Sequence, residues 1–138
     1  MILFDTSVVI DCRDTASPWH QWAKDQVADA VAKDEAAVNA VALAESGVRA
    51  ANRDRLPADL EAIGFKLVSL PVSAARPAAK AFAVYLDRAK AQGVAVGNRM
   101  PLPDFLIGAH AEAEGLALVT RDPARVKTYF PKVKLVTP

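Results

Sequence analysis

The sequence predicts an α/β fold in which one parallel sheet is covered by helices on both faces. Short apolar runs that suit buried strands alternate with segments whose apolar residues recur at helical spacing. The first run, residues 1–4, is typical of a strand buried on both faces. This alternation favours parallel strands joined by helical crossovers. Since the chain has 138 residues and no repeats, we expect one domain over residues 1–138.

The N-terminal half of the chain contains three predicted strands. After residues 1–4, the strands cover residues 36–40 and 65–70. Ser17-Pro18 is typical of a helix start, because serine caps free backbone N–H groups and proline fits the first helical position. The other helices in this half are predicted to begin near Ser7, around Val41 and at Leu56, with the last one ending at Gly64.

The C-terminal half continues the alternation. Residues 73–92 predict a long alanine-rich helix, which Gly93 closes as a left-handed cap would. Residues 94–103 predict a loop, and a helix opens at Asp104 and stops at Gly115. Residues 116–119 predict a buried strand, Asp122-Pro123 a further helix start, and residues 134–136 an edge strand.

Composition and charge exclude several classes of protein. With 17 basic and 16 acidic residues, a net charge of +1 argues against binding nucleic acid by bulk positive charge alone. It leaves room for a nucleic-acid enzyme whose bound metal ions supply a local positive field. A single cysteine, Cys12, cannot form an intramolecular disulfide. No signal peptide and no segment of transmembrane length is evident, so we expect a cytoplasmic protein without membrane contact.

Four acidic residues stand where an α/β sheet gathers functional groups. Asp5 follows the first strand and Asp122 follows the strand over residues 116–119, whereas Glu45 and Asp104 are expected in the first turns of helices. Each acid alone has an ordinary explanation, either as a helix cap or as a boundary residue. Right-handed crossovers, however, bring these ends to one edge of the sheet. The sequence therefore predicts that the four side chains meet in one acidic pocket.

Glu45 adds to this argument through its helical spacing. Val41, Ala44, Glu45 and Val48 recur at helical intervals, which places the glutamate on or beside the apolar face. A charge buried there needs a partner or a metal ion, because uncompensated burial is costly.

Carboxylates gathered in this way repel one another unless cations lie between them, and their repulsion should raise the pKa of at least one. Hard oxygen ligands select Mg²⁺ or Mn²⁺, and two such ions about 3.5–4 Å apart can activate water and stabilise the leaving oxygen of a phosphodiester. His20 and His110 have no supporting pattern for nucleophilic catalysis, and no glycine-rich phosphate loop is present. The candidates for contact with a phosphate backbone are Arg13, Arg49, Arg99 and Arg121.

Three stretches carry a resemblance to a known family. They are Ile2-Leu-Phe-Asp5-Thr-Ser-Val-Val-Ile-Asp11, Ala42-Leu-Ala-Glu45-Ser-Gly-Val-Arg49, and Pro103-Asp104-Phe-Leu-Ile-Gly-Ala-His-Ala continuing to Gly115-Leu-Ala-Leu-Val-Thr120-Arg-Asp122. In order and spacing the chain resembles the PIN-domain ribonucleases, and specifically the VapC-like toxins of type II toxin–antitoxin pairs. The resemblance implies a parallel α/β/α sandwich whose acids hold Mg²⁺ or Mn²⁺ for RNA hydrolysis.

Carried over residue by residue, the resemblance makes Asp5, Glu45, Asp104 and Asp122 the catalytic and metal-binding quartet, and family members differ in whether the last acid touches a metal. It also implies supporting hydroxyls, a homodimer, and a cognate antitoxin whose tail occupies the acidic groove. The supporting hydroxyls are those of Thr6, Ser7 and Thr120, with Ser7 standing where asparagine is also frequent.

Three alternatives compete with this interpretation. A haloacid-dehalogenase-like phosphatase needs a second acid two residues after Asp5, where this chain has Ser7. A response-regulator receiver needs an acid after the third strand, and Leu70-Pro71-Val72 offers none. A non-catalytic PIN-like scaffold that binds RNA or protein is the remaining alternative, although such scaffolds usually lack some of the acids that this chain retains.

Overall fold

The computed structural model describes residues 1–97 and 99–138. Of the predicted loop over residues 94–103, residue 98 lies outside the described residues. In chain order the elements are β1 (Ile2–Phe4), α1 (Thr6–Asp11), α2 (His20–Ala32), β2 (Ala36–Asn39), α3 (Ala40–Val48), α4 (Leu56–Ile63), β3 (Lys66–Val68), α5 (Ala75–Ala91), α6 (Pro103–Glu114), β4 (Ala117–Val119), α7 (Ala124–Tyr129) and β5 (Leu135–Val136).

Within the described residues, five parallel strands form one sheet in the order β3-β2-β1-β4-β5. The first strand is therefore central, and Leu3 and Phe4 are each only 1% exposed. Its register with β4 pairs Phe4 with Val119, so the residues after these strands leave the sheet side by side. The predicted parallel sheet flanked by helices is confirmed.

Small residues and aromatic rings fix how the helices pack. A Cβ on Gly108 in α6 would stand 2.6 Å from the ring of Phe130, so only glycine allows α6 to approach that ring. Phe105 packs against a group of rings on α5 and around α7, with centroid separations from 5.1 to 6.4 Å. The other rings of this cluster are Phe82, Tyr85, Tyr129 and Phe130. This packing holds α6, and with it Asp104, at a set position.

Two helix starts differ from the prediction. The second helix begins at His20, not at Ser17-Pro18, because the Ser17 hydroxyl donates to Asp11 Oδ1 at 2.8 Å while it accepts from the Trp19 backbone N–H at 3.1 Å. Likewise α7 begins at Ala124, and the Asp122 side chain does not cap it. In both places a side chain predicted to cap a helix lies outside the helix.

The long helix predicted over residues 73–92 is also shorter than predicted. Its first residues, Val72–Ala74, form a 3-10 turn, and α5 proper runs from Ala75 to Ala91. Pro77 lies in the first turn of α5, where its missing N–H is not needed. No helix among the described residues is both long and apolar enough to span a membrane.

Candidate functional site

Asp5 is held rigidly at the carboxyl end of the central strand. Its backbone N–H donates to the carbonyl of Val119 at 3.0 Å, which continues the β1–β4 pairing. Its Oδ1 accepts from the Thr6 backbone N–H at 2.7 Å, so it also caps α1 as a local interpretation predicts. Its Oδ2 accepts from the Thr120 hydroxyl, also at 2.7 Å. Both carboxylate oxygens are thus fixed by the sheet and its immediate continuation.

The environment of Asp5 raises its pKa above the ordinary value of 3.8. Burial is the largest cause, and the charges of Asp104 and Glu45 raise the pKa further. The hydrogen bonds from Thr120 and Thr6 act in the opposite direction. The predicted rise of one pKa by mutual repulsion is confirmed in direction, although loss of hydration contributes more than repulsion does.

Glu45 reaches the same place from α3. It lies in the second turn of the helix, not in the first turn as predicted, and its Oε1 accepts from the Thr6 hydroxyl. The buried stripe of α3 also differs from the predicted one. It contains Ala42 and Ser46, whereas Val48 is 66% exposed. Glu45 is therefore half-buried at the boundary of the apolar face, facing the N-terminus of α1.

Two buried polar side chains connect the helices that carry Glu45 and Asp104. Asn39 Oδ1 accepts from the Ala42 backbone N–H at 2.9 Å and so caps α3. The Asn39 amide nitrogen lies 3.1 Å from Nδ1 of His110, which is 1% exposed on α6. Because asparagine Oδ1 is already used, its amide donates to the histidine ring. This contact sets the spacing between α3 and α6.

Asp104 lies in the first turn of α6 and forms an ion pair that sequence analysis did not predict. Arg125 Nη1 donates to Asp104 Oδ2 at 3.1 Å. The same guanidinium lies 5.3 Å from the ring centroids of Tyr85 and Phe105. Arg125 was missed because no local pattern links it to an acid 21 positions earlier. Its placement follows from the docking of α7 against α5 and α6.

Asp122 is the least constrained of the four acids. Its backbone N–H donates to the Thr120 hydroxyl at 3.1 Å, but its side chain is exposed. The preceding Arg121 turns toward Asp11, with 3.2 Å between its Nε and Asp11 Oδ2. Asp11 is only 3% exposed and was not a predicted site residue.

All four predicted acids line one cavity of about 280 Å³ at the carboxyl edge of the sheet. We call it the acidic cavity. The prediction that these acids meet in one pocket is confirmed. The cavity is lined by Asp5, Thr6, Ser7, Ile10, Glu45, Asp104, Ile107, Leu118, Arg121, Asp122, Arg125 and Val126. Which of these residues bind a metal or take part in catalysis stays a prediction.

The carboxylate oxygens of the acidic cavity are the kind of ligand that a hard divalent cation prefers. Its carboxylates interact closely enough for Asp104 and Glu45 to raise the pKa of Asp5. Ser7 lines the cavity, and its buried hydroxyl has no hydrogen-bond partner among residues 1–97 and 99–138. Across those same residues, however, no three acidic, histidine or cysteine side chains converge closely enough to form a metal site.

The four predicted phosphate-contacting arginines are divided between two cavities and a loop. Arg121 lines the acidic cavity. Arg13 and Arg49 line a neighbouring cavity of about 720 Å³, which we call the flanking cavity. Arg99 is exposed in the connection between α5 and α6 and is in the lining of neither cavity. The missed Arg125 is therefore better placed beside the acids than three of the four predicted arginines.

Comparison with protein families identifies this arrangement. The family model described as PIN domain matches residues 2–131. The chain belongs to the PIN domain family. This confirms the resemblance seen in the sequence, and the acidic cavity lies where the acids of its three characteristic stretches come together.

Solved structures with a similar fold extend over nearly the whole PIN domain. They include VapBC2 from Rickettsia felis bound to a DNA fragment from their promoter, with 17% identity over 99% of this chain and 98% of that chain and a TM-score of 0.66. DNA-bound VapBC from Salmonella typhimurium has 17% identity, the same coverage and a TM-score of 0.65. A toxin–antitoxin complex from Klebsiella pneumoniae has 21% identity over 100% and 98% of the chains and a TM-score of 0.60. At these identities the likeness concerns the fold. A search of curated protein sequences gave no significant match.

Proposed function

We propose that this PIN domain is a Mg²⁺- or Mn²⁺-dependent endoribonuclease that acts as the toxin of a toxin–antitoxin pair. The observation that carries the proposal is that Asp5, Glu45, Asp104 and Asp122 all line the acidic cavity. These residues come from four separate segments of the chain, and helix capping or surface exposure alone gives no reason for them to meet. A phosphodiester hydrolase needs such a concentration of carboxylates to hold divalent cations.

In this proposal Asp5, Glu45 and Asp104 would hold the cation, and the exposed Asp122 would complete the acidic group. When bound, Mg²⁺ or Mn²⁺ supplies Lewis-acid stabilisation of charge and lowers the pKa of water. The Thr120 hydroxyl orients Asp5 and the Thr6 hydroxyl orients Glu45, as supporting groups around metal ligands commonly do. Arg121 and Arg125 supply positive charge for the phosphate at the same cavity.

A non-catalytic PIN-like scaffold is the second candidate function, and two observations favour it. Among the described residues no three acids already converge on a metal position. One of the carboxylates, Asp104, is also neutralised by Arg125. A scaffold of this kind would bind RNA or protein and cleave nothing.

RNA cleavage by the purified chain separates these two candidates. We expect cleavage with Mg²⁺ or Mn²⁺ that excess chelator abolishes, and loss of cleavage in Asp5→Asn and in Asp104→Asn, because each removes a ligand charge at nearly constant size. Asp29→Asn is the matched control, since Asp29 is an exposed acid of α2 outside the cavity. Undiminished cleavage in chelator, or full activity of both folded variants, contradicts the proposal.

The proposed partners are RNA, a cognate antitoxin and a second copy of this chain, with action in the cytoplasm. Support for an antitoxin comes from the similar fold in the toxin–antitoxin complex from Klebsiella pneumoniae. We expect expression of the chain alone to arrest growth, and an antitoxin encoded beside it to restore growth by direct binding. Harmless expression at high level, without RNA cleavage, would exclude the toxin assignment. Light scattering on the purified chain tests the homodimer.

A further inference from the structure

The flanking cavity opens directly beside the acidic cavity. The two share the side chains of Thr6, Ile10 and Glu45, which form the wall between them. At about 720 Å³, the flanking cavity falls within the range of about 300–1,000 Å³ that small-molecule sites occupy. The hydrolysis proposed above does not use the flanking cavity.

An RNA substrate would need the flanking cavity, because it extends beyond the cleaved bond. A phosphodiester that is cleaved in the acidic cavity carries a nucleoside on each side, so the chain must continue beyond the cavity walls. Beyond the shared wall, the flanking cavity is lined by four apolar and four polar or charged side chains, so it can cover the apolar face of a base and also meet its polar edge. The apolar residues beyond the shared wall are Val9, Val48, Ala50 and Ala51.

Ser46 provides a second and independent observation. Its side chain lines the flanking cavity and is 7% exposed, yet its hydroxyl has no hydrogen-bond partner anywhere in the part of the chain that the structure describes. A buried hydroxyl without a partner is costly, and it can both donate to and accept from a ligand. In the wall of the flanking cavity, the edge of a bound base would supply the partner that this hydroxyl lacks.

The charges around the flanking cavity fit a nucleic acid backbone. Arg49 lines it, is exposed, and makes no ion pair with any described residue. Arg13 also lines it, and its Nη2 lies 3.6 Å from Asp59 Oδ2 in a partly exposed pair. Asp14 and Glu45 are the opposing charges in the lining. Arg49 is therefore the cation most available to a phosphate.

We propose that the flanking cavity binds the nucleoside next to the cleaved phosphodiester of a single-stranded RNA, with Ser46 selecting the base and Arg49 contacting the following phosphate. This inference rests on the proposed ribonuclease function and adds a specificity site to it. Ser46 acts through a hydrogen bond to the base edge, whereas Arg49 acts on the backbone and does not distinguish bases.

Cleavage of a randomised single-stranded RNA library, followed by sequencing of the new ends, tests the proposal. The wild-type chain should show a base preference at one position adjoining the cut. Ser46→Ala should weaken that preference by about twofold to tenfold, the effect of one lost hydrogen bond. Arg49→Gln should slow cleavage of all sequences at low salt without changing the preference. In the Asp104→Asn background, the affinity for an RNA carrying the preferred base should fall by the same factor when Ser46→Ala is added.

A variant that fills the flanking cavity from an exposed position tests the proposal without disturbing the fold. Val48 is 66% exposed at the cavity, so Val48→Trp should fold normally, obstruct the nucleoside and reduce both cleavage and RNA affinity by about tenfold. Val72→Trp, at a position 91% exposed and outside both cavities, should leave both unchanged.

The outcomes distinguish this proposal from the ribonuclease function itself. If the wild-type chain cuts no member of the library, the ribonuclease function fails. If the wild-type chain cuts RNA, but Ser46→Ala and Val48→Trp keep its rate and base preference, the nucleoside site is wrong while the ribonuclease function stands. Loss of binding to a protein partner in Val48→Trp, with RNA binding intact, also overturns the nucleoside site.

Discussion

Asp5 and Asp122 follow two neighbouring strands of one sheet, but their side chains differ in hydrogen bonding and exposure. Asp5 comes immediately after β1, and both of its carboxylate oxygens accept hydrogen bonds. The residue at the corresponding position after β4 is Thr120, which is 0% exposed. Asp122 lies two residues further along, with its backbone N–H held by Thr120 and its side chain exposed. One acid is built into the end of the sheet, whereas the other is carried by a loop.

The comparison teaches that distance from the end of the sheet decides how firmly a carboxylate is held. A partly buried carboxylate with two hydrogen bonds is held in place by the protein itself, but it loses hydration, and this loss raises its pKa. An exposed carboxylate on a loop keeps its hydration and can adjust to a ligand or move away. Asp5 should therefore organise the site, and Asp122 should complete it.

The largest expected effect is a difference in catalysis between the two acids. Asp5→Asn should lower the rate of metal-dependent RNA cleavage by about 100-fold or more, because it removes a fixed ligand charge. Asp122→Asn should lower the rate by about tenfold or less, as expected for an outer group. Single-turnover cleavage, with circular dichroism to confirm folding, measures both. Equal losses of cleavage rate in the two variants would contradict the proposed difference between Asp5 and Asp122.

A second prediction tests whether Thr120 is what holds Asp5. Thr120→Val keeps the shape but removes the hydroxyl that donates to Asp5 and accepts from the Asp122 N–H. We expect the free energy of unfolding to fall by about 1–2 kcal/mol, because a buried carboxylate oxygen loses its donor. We also expect cleavage to slow by about tenfold or more. Thr120→Ser retains the hydroxyl and should keep most of the stability and most of the cleavage rate. If Thr120→Ser loses as much as Thr120→Val, the effect comes from packing and not from the hydroxyl.

The third prediction concerns the pH dependence of stability in the metal-free protein. Because folding raises the pKa of Asp5 above 3.8, the folded chain binds a proton that the unfolded chain releases in the window above that value. This contribution to stability is present below the window and is lost as the pH rises through the folded pKa. Asp5→Asn lacks this loss, so its stability relative to the wild type should improve from about pH 4 to about pH 7.

Chemical unfolding of both proteins in chelator, at each pH, measures this difference. Asp122→Asn is the comparison variant, since it removes an exposed acid from the same cavity. A stability difference between Asp5→Asn and the wild type that does not change with pH would contradict the prediction.

The smallest expected effects concern the two arginines of the acidic cavity. Arg125→Gln should reduce the free energy of unfolding by about 0–1 kcal/mol, as for other partly exposed ion pairs. It should also tighten Mn²⁺ binding by about twofold to fivefold, because Asp104 loses a competing cation. Arg121→Gln should change Mn²⁺ binding less, since its partner Asp11 is outside the cavity lining. Titration calorimetry on the metal-free chain measures both, and weaker binding in Arg125→Gln would show that Arg125 supports the site.

The sequence by itself determined the parallel sheet, the order of its helices and the convergence of the four acids. These follow from local patterns, because apolar runs and helical spacing are read within a few residues and crossover handedness is nearly invariant. The same local patterns misplaced the start of α2, the cap of α7 and the buried stripe of α3. At the start of α2 the physical reason is a partner outside the helix, since the Ser17 hydroxyl donates to Asp11.

Only the tertiary structure decided which neighbours the acids have. The pairing of Arg125 with Asp104 depends on α7 lying against α5 and α6, and no spacing in the sequence encodes that contact. The rise in the pKa of Asp5 depends mainly on how deeply the sheet end is covered, which is a property of packing. The unpaired hydroxyl of Ser46 appears only once α3 has turned it toward a cavity and away from any partner among the described residues. Residue type and order specify the elements, whereas the distances and desolvation that give a site its chemistry arise when those elements dock.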